Sequence, residues 1–282
     1  MEDLLGRSPI EHRAPDGDLR IQTAGTFAHA TTCIHGAVHL DAPALRERVI
    51  AAYLTLIGAF ARLDRHPIRF WNFVPGIGER MSADSDRYMV FNAGRYDAFT
   101  EWYGAQRVST GNCRSIGTAS AVGITGSDLS IHCLATERPG APVENPRQTP
   151  AWRYSARYGP VPPCFSRATI VEFRGRPHLL IGGTASVVGE DSQHAGDLKA
   201  QVDETLLNME TLVRTASAGA TGCNTPLQHL IDLRVHITAA AYAEPVRHIL
   251  SKCCPKVRTV DLVVAQVCRP ELLVEIEGVA EL

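Results

Sequence analysis

The sequence predicts an α+β protein in which one chain of 282 residues holds two units of βαβαββ order. Short segments with apolar alternation are interleaved with two long segments of helical periodicity. The same order of strands and helices occurs in both halves, which indicates an internal duplication. A proline-rich stretch without periodicity separates the halves. These observations define the fold class and place the two units at 19–136 and 167–282.

The composition is that of a globular protein and narrows the classes of partner. Hydrophobic residues make up 45% of the chain and charged residues 21%, which permits a sizeable core. A formal net charge of −2 provides no general attraction to nucleic acid or to an anionic membrane, so neither partner is expected. The eight cysteines are scattered, and the N-terminus lacks an apolar leader segment. We therefore expect free thiols and a cytoplasmic location.

The first unit follows a charged segment, 1–18, that is expected to form a flexible arm. Alternating residues in 19–40 predict strands. Asp41 is typical of an N-cap and Pro43 of a first helical turn, and apolar residues at helical spacing then predict a helix at 42–62. The other predicted elements are a strand at 66–74, a short helix at 96–106, and strands at 113–122 and 128–136.

The segment 137–166 is rich in proline, has no periodicity, and contains Trp152, Tyr154 and Tyr158. Long loops of this kind are usually functional or disordered. The embedded aromatic residues argue against disorder. We therefore predict that this proline-rich segment contributes to an active site.

The second unit repeats the pattern of the first from 167 to 282. In its last strand, Glu275 and Glu277 share one face, whereas Val274 and Ile276 share the apolar face. Two interpretations remain open: an edge strand with a solvated acidic face, or a carboxylate tuned for catalysis. The predicted elements are strands at 167–173, 178–183 and 227–238, helices at 195–216 and 240–252, and strands at 259–268 and 272–280.

Three motifs of the second unit form a recognisable set. They are Gly182-Gly183-Thr184-Ala185, the helix from Gln201 to Asn208, and the terminal segment 274–280. In these motifs the unit resembles the RidA/YjgF family. The resemblance implies mixed sheets with helices packed on the outer faces, and clefts that bind small carboxylates. Val260 occupies the position of the family's ligand-binding arginine, with Arg258 nearby, which argues against simple imine deamination.

A second set of motifs follows in order from residue 66 onward. The motifs are 66–77 (HPIRFWNFVPGI), 87–88 (RY) with 91–92 (FN) and 94–96 (GRY), 109–111 (STG), 144–148 (ENPRQ), 152–155 (WRYS), Pro163 with 165–169 (FSRAT), 183–186 (GTAS) and 189–192 (GEDS). With these motifs the whole chain resembles the chorismatases, enzymes that remove pyruvate from chorismate. The resemblance implies chorismate as the small-molecule substrate and no cofactor.

This resemblance assigns roles to individual residues. Glu275 takes the position of the catalytic acid, with Glu277 as its counterpart on the same face. Such an acid must be protonated near neutral pH, which burial or a nearby anion achieves by raising its pKa. Arg167 and Tyr154 occupy substrate-binding positions, where an arginine can hold a carboxylate through two parallel hydrogen bonds. Further candidates for substrate binding are Arg147, Arg153 and Tyr158.

Two residues bear on the product. By the same resemblance, Cys268, predicted on the strand next to that of Glu275, is typical of members that form 3-hydroxybenzoate. Ala185 is more typical of members that hydrolyse chorismate to a dihydroxycyclohexadiene carboxylic acid. We expect 3-hydroxybenzoate, alone or with some 4-hydroxybenzoate, and the hydrolytic product is the alternative. A RidA-like protein that binds small carboxylates or deaminates imines is the second alternative.

Metal and phosphate sites find little support in the sequence. Cys33, His35 and His39 lie close together and are able to ligate a metal, but no fourth ligand is evident, so no metal is expected. The glycine-containing stretch 109–117 lacks the lysine of a phosphate-binding loop. Because a duplication supplies internally what a homotrimer obtains by association, we expect a monomer.

Overall fold

The structure is a computed structural model that describes residues 10–13, 18–110, 116–217 and 225–282. Most of the predicted arm, together with Cys113 and Cys223, lies outside the described residues. Within the described residues, no helix combines the length and the apolar character that crossing a membrane requires. The cysteines of the described residues are free thiols.

The chain folds into two compact units whose boundaries differ from the predicted ones. The first unit consists of 1–117, 124–140 and 151–165, and the second consists of 118–123, 141–150 and 166–282. The predicted segment 137–166 is therefore divided between the units. Backbone pairing explains the difference, because 141–143 forms a strand beside 168–170. In addition, the N–H of Gly123 donates to the carbonyl of Gln266 at 2.7 Å.

The first sheet contains six strands: β1 (Ile10–Arg13), β2 (Arg20–Ala24), β3 (Phe27–Ile34), β4 (His66–Pro75), β5 (Thr118–Ile124) and β6 (Leu129–Thr136). Their order in the sheet is β1-β2-β3-β6-β4-β5. The strand β1 differs from the prediction of a flexible arm at residues 10–13, the part of the arm that forms it. It pairs antiparallel with β2, and this pairing satisfies backbone groups that an open edge would leave exposed.

The first long helix, α1 (Ala42–Arg62), has the predicted bounds. The Asp41 side chain accepts a hydrogen bond from the N–H of Ala44, which caps the first turn. Its buried face packs against the first sheet, where the ring of Tyr53 lies 5.5 Å from that of Phe70 on β4. The predicted amphipathic helix is therefore confirmed, with its apolar face in the core.

The second helix of the first unit, α2 (Arg87–Tyr103), is longer than the short helix predicted at 96–106. It begins after Asp86, whose side chain caps the N–H of Met89, and a single-turn helix, α3 (Ala105–Ser109), follows it. The prediction missed the first half of α2 because its buried face includes polar side chains, which hide the apolar periodicity. Those buried polar residues are Arg87, Asn92 and Arg95.

The second sheet also contains six strands: β7 (Ala141–Val143), β8 (Ala168–Phe173), β9 (Arg176–Thr184), β12 (Leu230–Ile237), β13 (Thr259–Val264) and β14 (Val274–Glu281). Their order is β13-β12-β14-β9-β8-β7. The pair β12–β13 is parallel and the other pairs are antiparallel, so the sheet is mixed. A short hairpin, β10 (Val187–Val188) and β11 (Asp191–Ser192), follows β9.

Two helices, α4 (Leu198–Ala216) and α5 (Ala243–Cys253), cover one face of the second sheet. Their buried residues join strand residues in one hydrophobic cluster, which includes Met209 of α4, Leu250 of α5, and Val274 and Ile276 of β14. Side chains alternate along a strand, so the other face of the sheet is formed by the intervening residues. We call this second surface the helix-free face.

The two sheets have the same topology. Reading each sheet across, β1-β2-β3-β6-β4-β5 corresponds strand for strand to β7-β8-β9-β14-β12-β13. In each sheet the first long helix comes after the third strand of this order (β3 or β9), and the second helix comes after the fifth strand (β4 or β12). The predicted α+β class and its repeated order of elements are confirmed.

Candidate active site

The carboxylates of Glu275 and Glu277 lie on the helix-free face, at the middle of the second sheet. Both residues are buried, with 5% and 4% of their surface exposed. The strand β14 has β12 on one side and β9 on the other, so the edge-strand interpretation is wrong. Across β12, His236 lies opposite Glu275 and Arg234 lies opposite Glu277. Two carboxyl groups are thus held in a largely buried setting beside polar side chains.

Glu277 is surrounded by groups that compensate a negative charge. The hydroxyl of Ser120 donates to Oε2 of Glu277 at 2.5 Å. On the other side, Oε1 lies 3.7 Å from Nη1 of Arg234 and 3.8 Å from Nε2 of His236. The side chain of Glu277 is therefore fixed by three neighbouring groups, Ser120, Arg234 and His236.

Glu275 lies against the backbone of Gly183 on β9. A Cβ atom added at Gly183 would lie 2.1 Å from Oε1 and 2.7 Å from Cδ of Glu275, so only glycine leaves room for this carboxyl. The pairing of β14 with β9 is irregular at this point, between Ile276 and Gly278. The bulge and the glycine together determine where the carboxyl group of Glu275 lies.

Arg167 immediately precedes β8 and is 9% exposed. Its carbonyl accepts hydrogen bonds from the N–H of Gly182 at 2.9 Å and from the hydroxyl of Thr118 at 3.1 Å. Its Nη2 donates to the carbonyl of Thr149 at 2.8 Å. The backbone of Arg167 is therefore fixed beside the glycine pair that packs on Glu275. A buried guanidinium here can add charge-assisted hydrogen bonds to a carboxylate ligand.

Glu144 is an ionisable group of this region that sequence reasoning did not select. The N–H of Arg167 donates to its Oε1 at 3.3 Å. Burial raises the pKa of Glu144 to about 7, and the nearby charge of Arg167 only partly opposes this shift. Its Oε2 is buried and makes no hydrogen bond within the described part of the chain. The only sequence signal was its place in the ENPRQ motif.

Arg147 is engaged with α4. Its Nη1 donates to Oδ1 of Asn208 and its Nη2 to Oε1 of Glu204, each at 2.6 Å. The amide of Asn208 in turn donates to the carbonyl of Ala185 at 3.1 Å. These contacts brace the loop before β8 against α4 and the segment after β9. Because both terminal nitrogens of the guanidinium are engaged, these contacts favour a structural role for Arg147 over direct binding of a carboxylate.

Cys268 lies beyond the end of β13 and not on the predicted strand 259–268, because β13 ends at Val264. In addition, β13 pairs with β12 and not with β14, so it does not adjoin the strand of Glu275. The guanidinium of Arg269 donates to the carbonyl of Glu190 at 2.7 Å, and this contact fixes the chain in an irregular turn. Cys268 is partly exposed.

The two residues that bear on the product are nevertheless linked through packing. Ala185 belongs to a small buried cluster with Val187, Leu272 and Val267, the residue before Cys268. The second unit therefore contains Arg147, Arg167, Ala185, Cys268 and Glu275. A change of volume at Ala185 would be transmitted directly to the turn that carries Cys268.

Tyr154 and Tyr158 belong to the first unit. Within the proline-rich segment, Tyr154 follows the 3-10 turn Ala151–Arg153, and Tyr158 is the last residue of the 3-10 turn Ala156–Tyr158. Their rings are 5.2 Å apart, and the guanidinium of Arg157 stacks over Tyr158. Arg153 is exposed. The segment is thus irregular, as predicted, but has local structure built on aromatic contacts.

Known proteins share both the sequence and the fold. The family model described as chorismatase FkbO/Hyg5-like, N-terminal, matches residues 7–135. A 3-hydroxybenzoate synthase of Streptomyces hygroscopicus is 31% identical over 245 residues, which cover 83% of this chain and 69% of that protein. A chorismatase of Streptomyces rapamycinicus is 31% identical over 276 residues, which cover 95% and 75% of the two chains.

One solved structure extends the comparison to the fold. The crystal structure of a chorismatase matches with a TM-score of 0.82 at 22% identity, over 97% of this chain and 80% of that one. At this identity the match establishes the fold alone. The sequence identities to the two Streptomyces enzymes, over most of both chains, establish the family. The chain belongs to the chorismatase family.

Proposed function

We propose that this protein converts chorismate to pyruvate and 3-hydroxybenzoate by acid catalysis without a cofactor. The observation that carries the proposal is the buried carboxyl of Glu275, which lies against Gly183 in a chain 31% identical to a 3-hydroxybenzoate synthase. A carboxyl group that is positioned in this way can serve as the general acid that the reaction requires.

In the proposed reaction, Glu275 donates its proton to the methylene carbon of the enolpyruvyl group. The bond between C3 of the ring and the ether oxygen breaks, and that oxygen leaves as the ketone of pyruvate. The neighbouring ring hydroxyl attacks C3 and releases its proton, which gives an epoxide-like intermediate. Opening of this intermediate and loss of the C3 proton yield the aromatic ring of 3-hydroxybenzoate. The balance needs no water, no oxidant and no reductant.

The two carboxylates of chorismate require fixed donors. We assign one of them to Arg167, which is buried and whose backbone is held by Gly182 and Thr118. By the resemblance to the family, Tyr154 and Tyr158 are further binding candidates. Arg147 takes a supporting role through Asn208 and not a direct one. A guanidinium is suited to this task because it meets a carboxylate with two parallel donors.

The choice of product depends on access of water to the ring. If water attacks C3 in place of the ring hydroxyl, the product is a dihydroxycyclohexadiene carboxylic acid. Cys268 favours the aromatic product, because a thiol is less hydrophilic than an open site and can carry the proton lost on aromatisation. Ala185 is the observation that favours the hydrolytic product, which is the second candidate. Some 4-hydroxybenzoate is compatible with the first.

Incubation with chorismate tests the proposal. Pyruvate is measured with lactate dehydrogenase, and the aromatic or diene product is identified by chromatography against standards. We expect one pyruvate for each 3-hydroxybenzoate formed. Pyruvate together with the diol alone would show that the protein is the hydrolytic type. Binding of chorismate with no release of pyruvate would contradict the enzyme assignment and favour the carboxylate-binding alternative.

Two further properties complete the proposal. The duplicated topology supports a monomer, because each chain supplies two units of the same order. The free thiols support work in the reducing cytoplasm. Light scattering after size-exclusion chromatography tests the first property, for which a mass near 30.6 kDa is expected.

A further inference from the structure

Three potential metal ligands from distant parts of the sequence meet in the first unit. Sγ of Cys33 lies 3.7 Å from Nδ1 of His35 and 3.9 Å from Oδ2 of Asp128. Nδ1 of His35 lies 2.8 Å from the same carboxylate oxygen. Cys33 is the residue before the last of β3, and Asp128 immediately precedes β6. His39, the third residue singled out from the sequence, is not a member of this group.

The spacing of the three atoms fits a single tetrahedral ion. Metal bonds of about 2.0–2.3 Å to sulfur, nitrogen and oxygen place ligand atoms roughly 3.3–3.8 Å apart. The observed separations of 3.7 and 3.9 Å agree with this, and the 2.8 Å pair needs only a small opening. A mixed set of thiolate, imidazole and carboxylate suits zinc-class divalent ions better than magnesium or calcium.

Neighbouring groups already orient the ligands. The N–H of Gly36 and the hydroxyl of Ser127 donate to Oδ1 of Asp128, at 2.9 and 2.8 Å, which leaves Oδ2 turned toward Cys33 and His35. On His35, Nε2 lies 3.3 Å from Oδ1 of Asp18. A carboxylate on the far nitrogen fixes the proton there and frees Nδ1 as a ligand, which is the usual arrangement around metal-bound histidine.

We propose that Cys33, His35 and Asp128 form a binding site for one zinc-class divalent cation, with a fourth position open to water. This replaces the expectation of no metal, in which His39 was the third candidate ligand; Asp128 takes that place. The ion would join the turn after β3 to the turn before β6. It is a site of the first unit and takes no part in the proposed reaction.

Cobalt titration of the whole chain tests the site. Co²⁺ is the probe, because thiolate coordination gives a near-ultraviolet charge-transfer band and tetrahedral geometry gives intense visible bands. We expect saturation at one ion per chain and displacement by Zn²⁺. Cys33→Ser is expected to abolish the charge-transfer band, and Asp128→Asn to weaken binding by at least about tenfold.

Matched variants separate this site from adventitious binding. Cys253→Ser removes an exposed cysteine, and His39→Ala removes the histidine that lies outside the group; both are expected to bind as the wild type does. Circular dichroism without metal checks that each variant is folded. If Cys33→Ser does not fold, the binding measured with Asp128→Asn tests the proposal instead. A thiolate band that survives in Cys33→Ser, or binding unchanged in Asp128→Asn, would overturn the proposal.

Discussion

The central strands of the two units occupy the same place in the sheet but carry different side chains. β6 lies between β3 and β4, as β14 lies between β9 and β12. Counted from the first residue of each strand, Ser130 and His132 of β6 correspond to Glu275 and Glu277 of β14. The first unit thus has no carboxylate at the positions where the second unit has two.

The surroundings of these positions differ as well. In the first unit the ring of His132 stacks on His29 and meets Phe73, and Nδ1 of His132 bonds the hydroxyl of Thr31 at 3.1 Å. Burial, and secondarily the charge of His132, lower the pKa of His29 to about 4. Packed rings therefore occupy this face of the first unit. The same topology accommodates both faces, so the carboxylates of β14 are not required by the fold.

The units also bury their polar groups in different places. In the first unit, Tyr53 donates to Asn72 at 2.6 Å and Arg95 lies between aromatic rings, within the layer of helices and sheet. Burial raises the pKa of Tyr53 to about 12. In the second unit a hydrophobic cluster lies between the helices and the sheet, beside the buried amides of Gln201 and Asn208 on α4. The buried carboxyl groups of Glu275 and Glu277 lie on the helix-free face instead.

The largest effect is expected from Glu275→Gln, which keeps the shape of the side chain but removes the transferable proton. Turnover is expected to fall by about 10²-fold or more while KM changes little. Glu277→Gln is the comparison on the same strand. Because Ser120 and Arg234 hold Glu277, Glu277→Gln is expected to lower the free energy of unfolding. Its turnover is expected to fall less than that of Glu275→Gln. Steady-state kinetics and urea denaturation of both variants separate the roles. Near-normal pyruvate release by Glu275→Gln would reverse the assignment.

Gly183→Ala is expected to have the next largest effect. A methyl group at this position meets the Glu275 carboxyl and must displace it. Turnover is expected to fall by about tenfold or more, because small displacements of a reacting group are costly. Gly78→Ala is the control, since a Cβ at Gly78 contacts nothing within 4 Å. Equal activity of the two variants would show that the position of Glu275 is not critical.

Cys268→Ala is expected to change the product more than the rate. A smaller, non-acidic side chain admits water and removes a proton carrier, so the fraction of dihydroxycyclohexadiene acid is expected to rise at the expense of 3-hydroxybenzoate. Chromatography of the products measures the ratio. Cys253→Ala, in which an exposed cysteine is changed, serves as control. An unaltered ratio in Cys268→Ala would remove this residue from the account of product choice.

The smallest expected effect is a change in the pH dependence of stability in Glu144→Gln. Its folded-state pKa of about 7 exceeds the ordinary value of 4.5, so the protonated group favours the folded state at low pH. That contribution is present below the ordinary value and is lost as the pH rises through 7. Glu144→Gln lacks the titrating carboxyl. The free energy of unfolding of the variant, relative to that of the wild type, is therefore expected to increase as the pH rises from 4.5 to about 7.

Urea denaturation at several pH values measures this difference, with the exposed Glu101→Gln as control. The control is expected to follow the wild type at every pH. Parallel curves for Glu144→Gln and the wild type would mean that the carboxyl titrates normally in the folded protein.

The sequence was informative where one periodicity decides the structure. The helix α1 has its predicted bounds because Asp41 caps it and its buried face is uniformly apolar. The alternation in β14 also predicts the buried face correctly, because Val274 and Ile276 belong to the hydrophobic core. By contrast, α2 was read as half its length, because Arg87, Asn92 and Arg95 interrupt the apolar face.

The partners of the site residues could not be predicted, because distant pairing supplies them. Ser120 reaches Glu277 across 157 positions, and Asp128 reaches His35 across 93. Only the assembled sheet brings these groups together. The raised pKa of Glu144 likewise depends on burial that no local pattern encodes. Glu275 and Arg167 were selected through resemblance to a family, and their neighbours came from the fold.

The central claim is that an acid on β14 breaks the bond between C3 and the ether oxygen without water. Turnover in H₂¹⁸O tests it most directly, with lactate dehydrogenase present to trap pyruvate before its ketone exchanges. We expect 3-hydroxybenzoate and lactate that are both free of ¹⁸O. Label in the ring product would show attack of water at C3, and label in the lactate would show hydrolysis of the enol ether; either result would contradict the account.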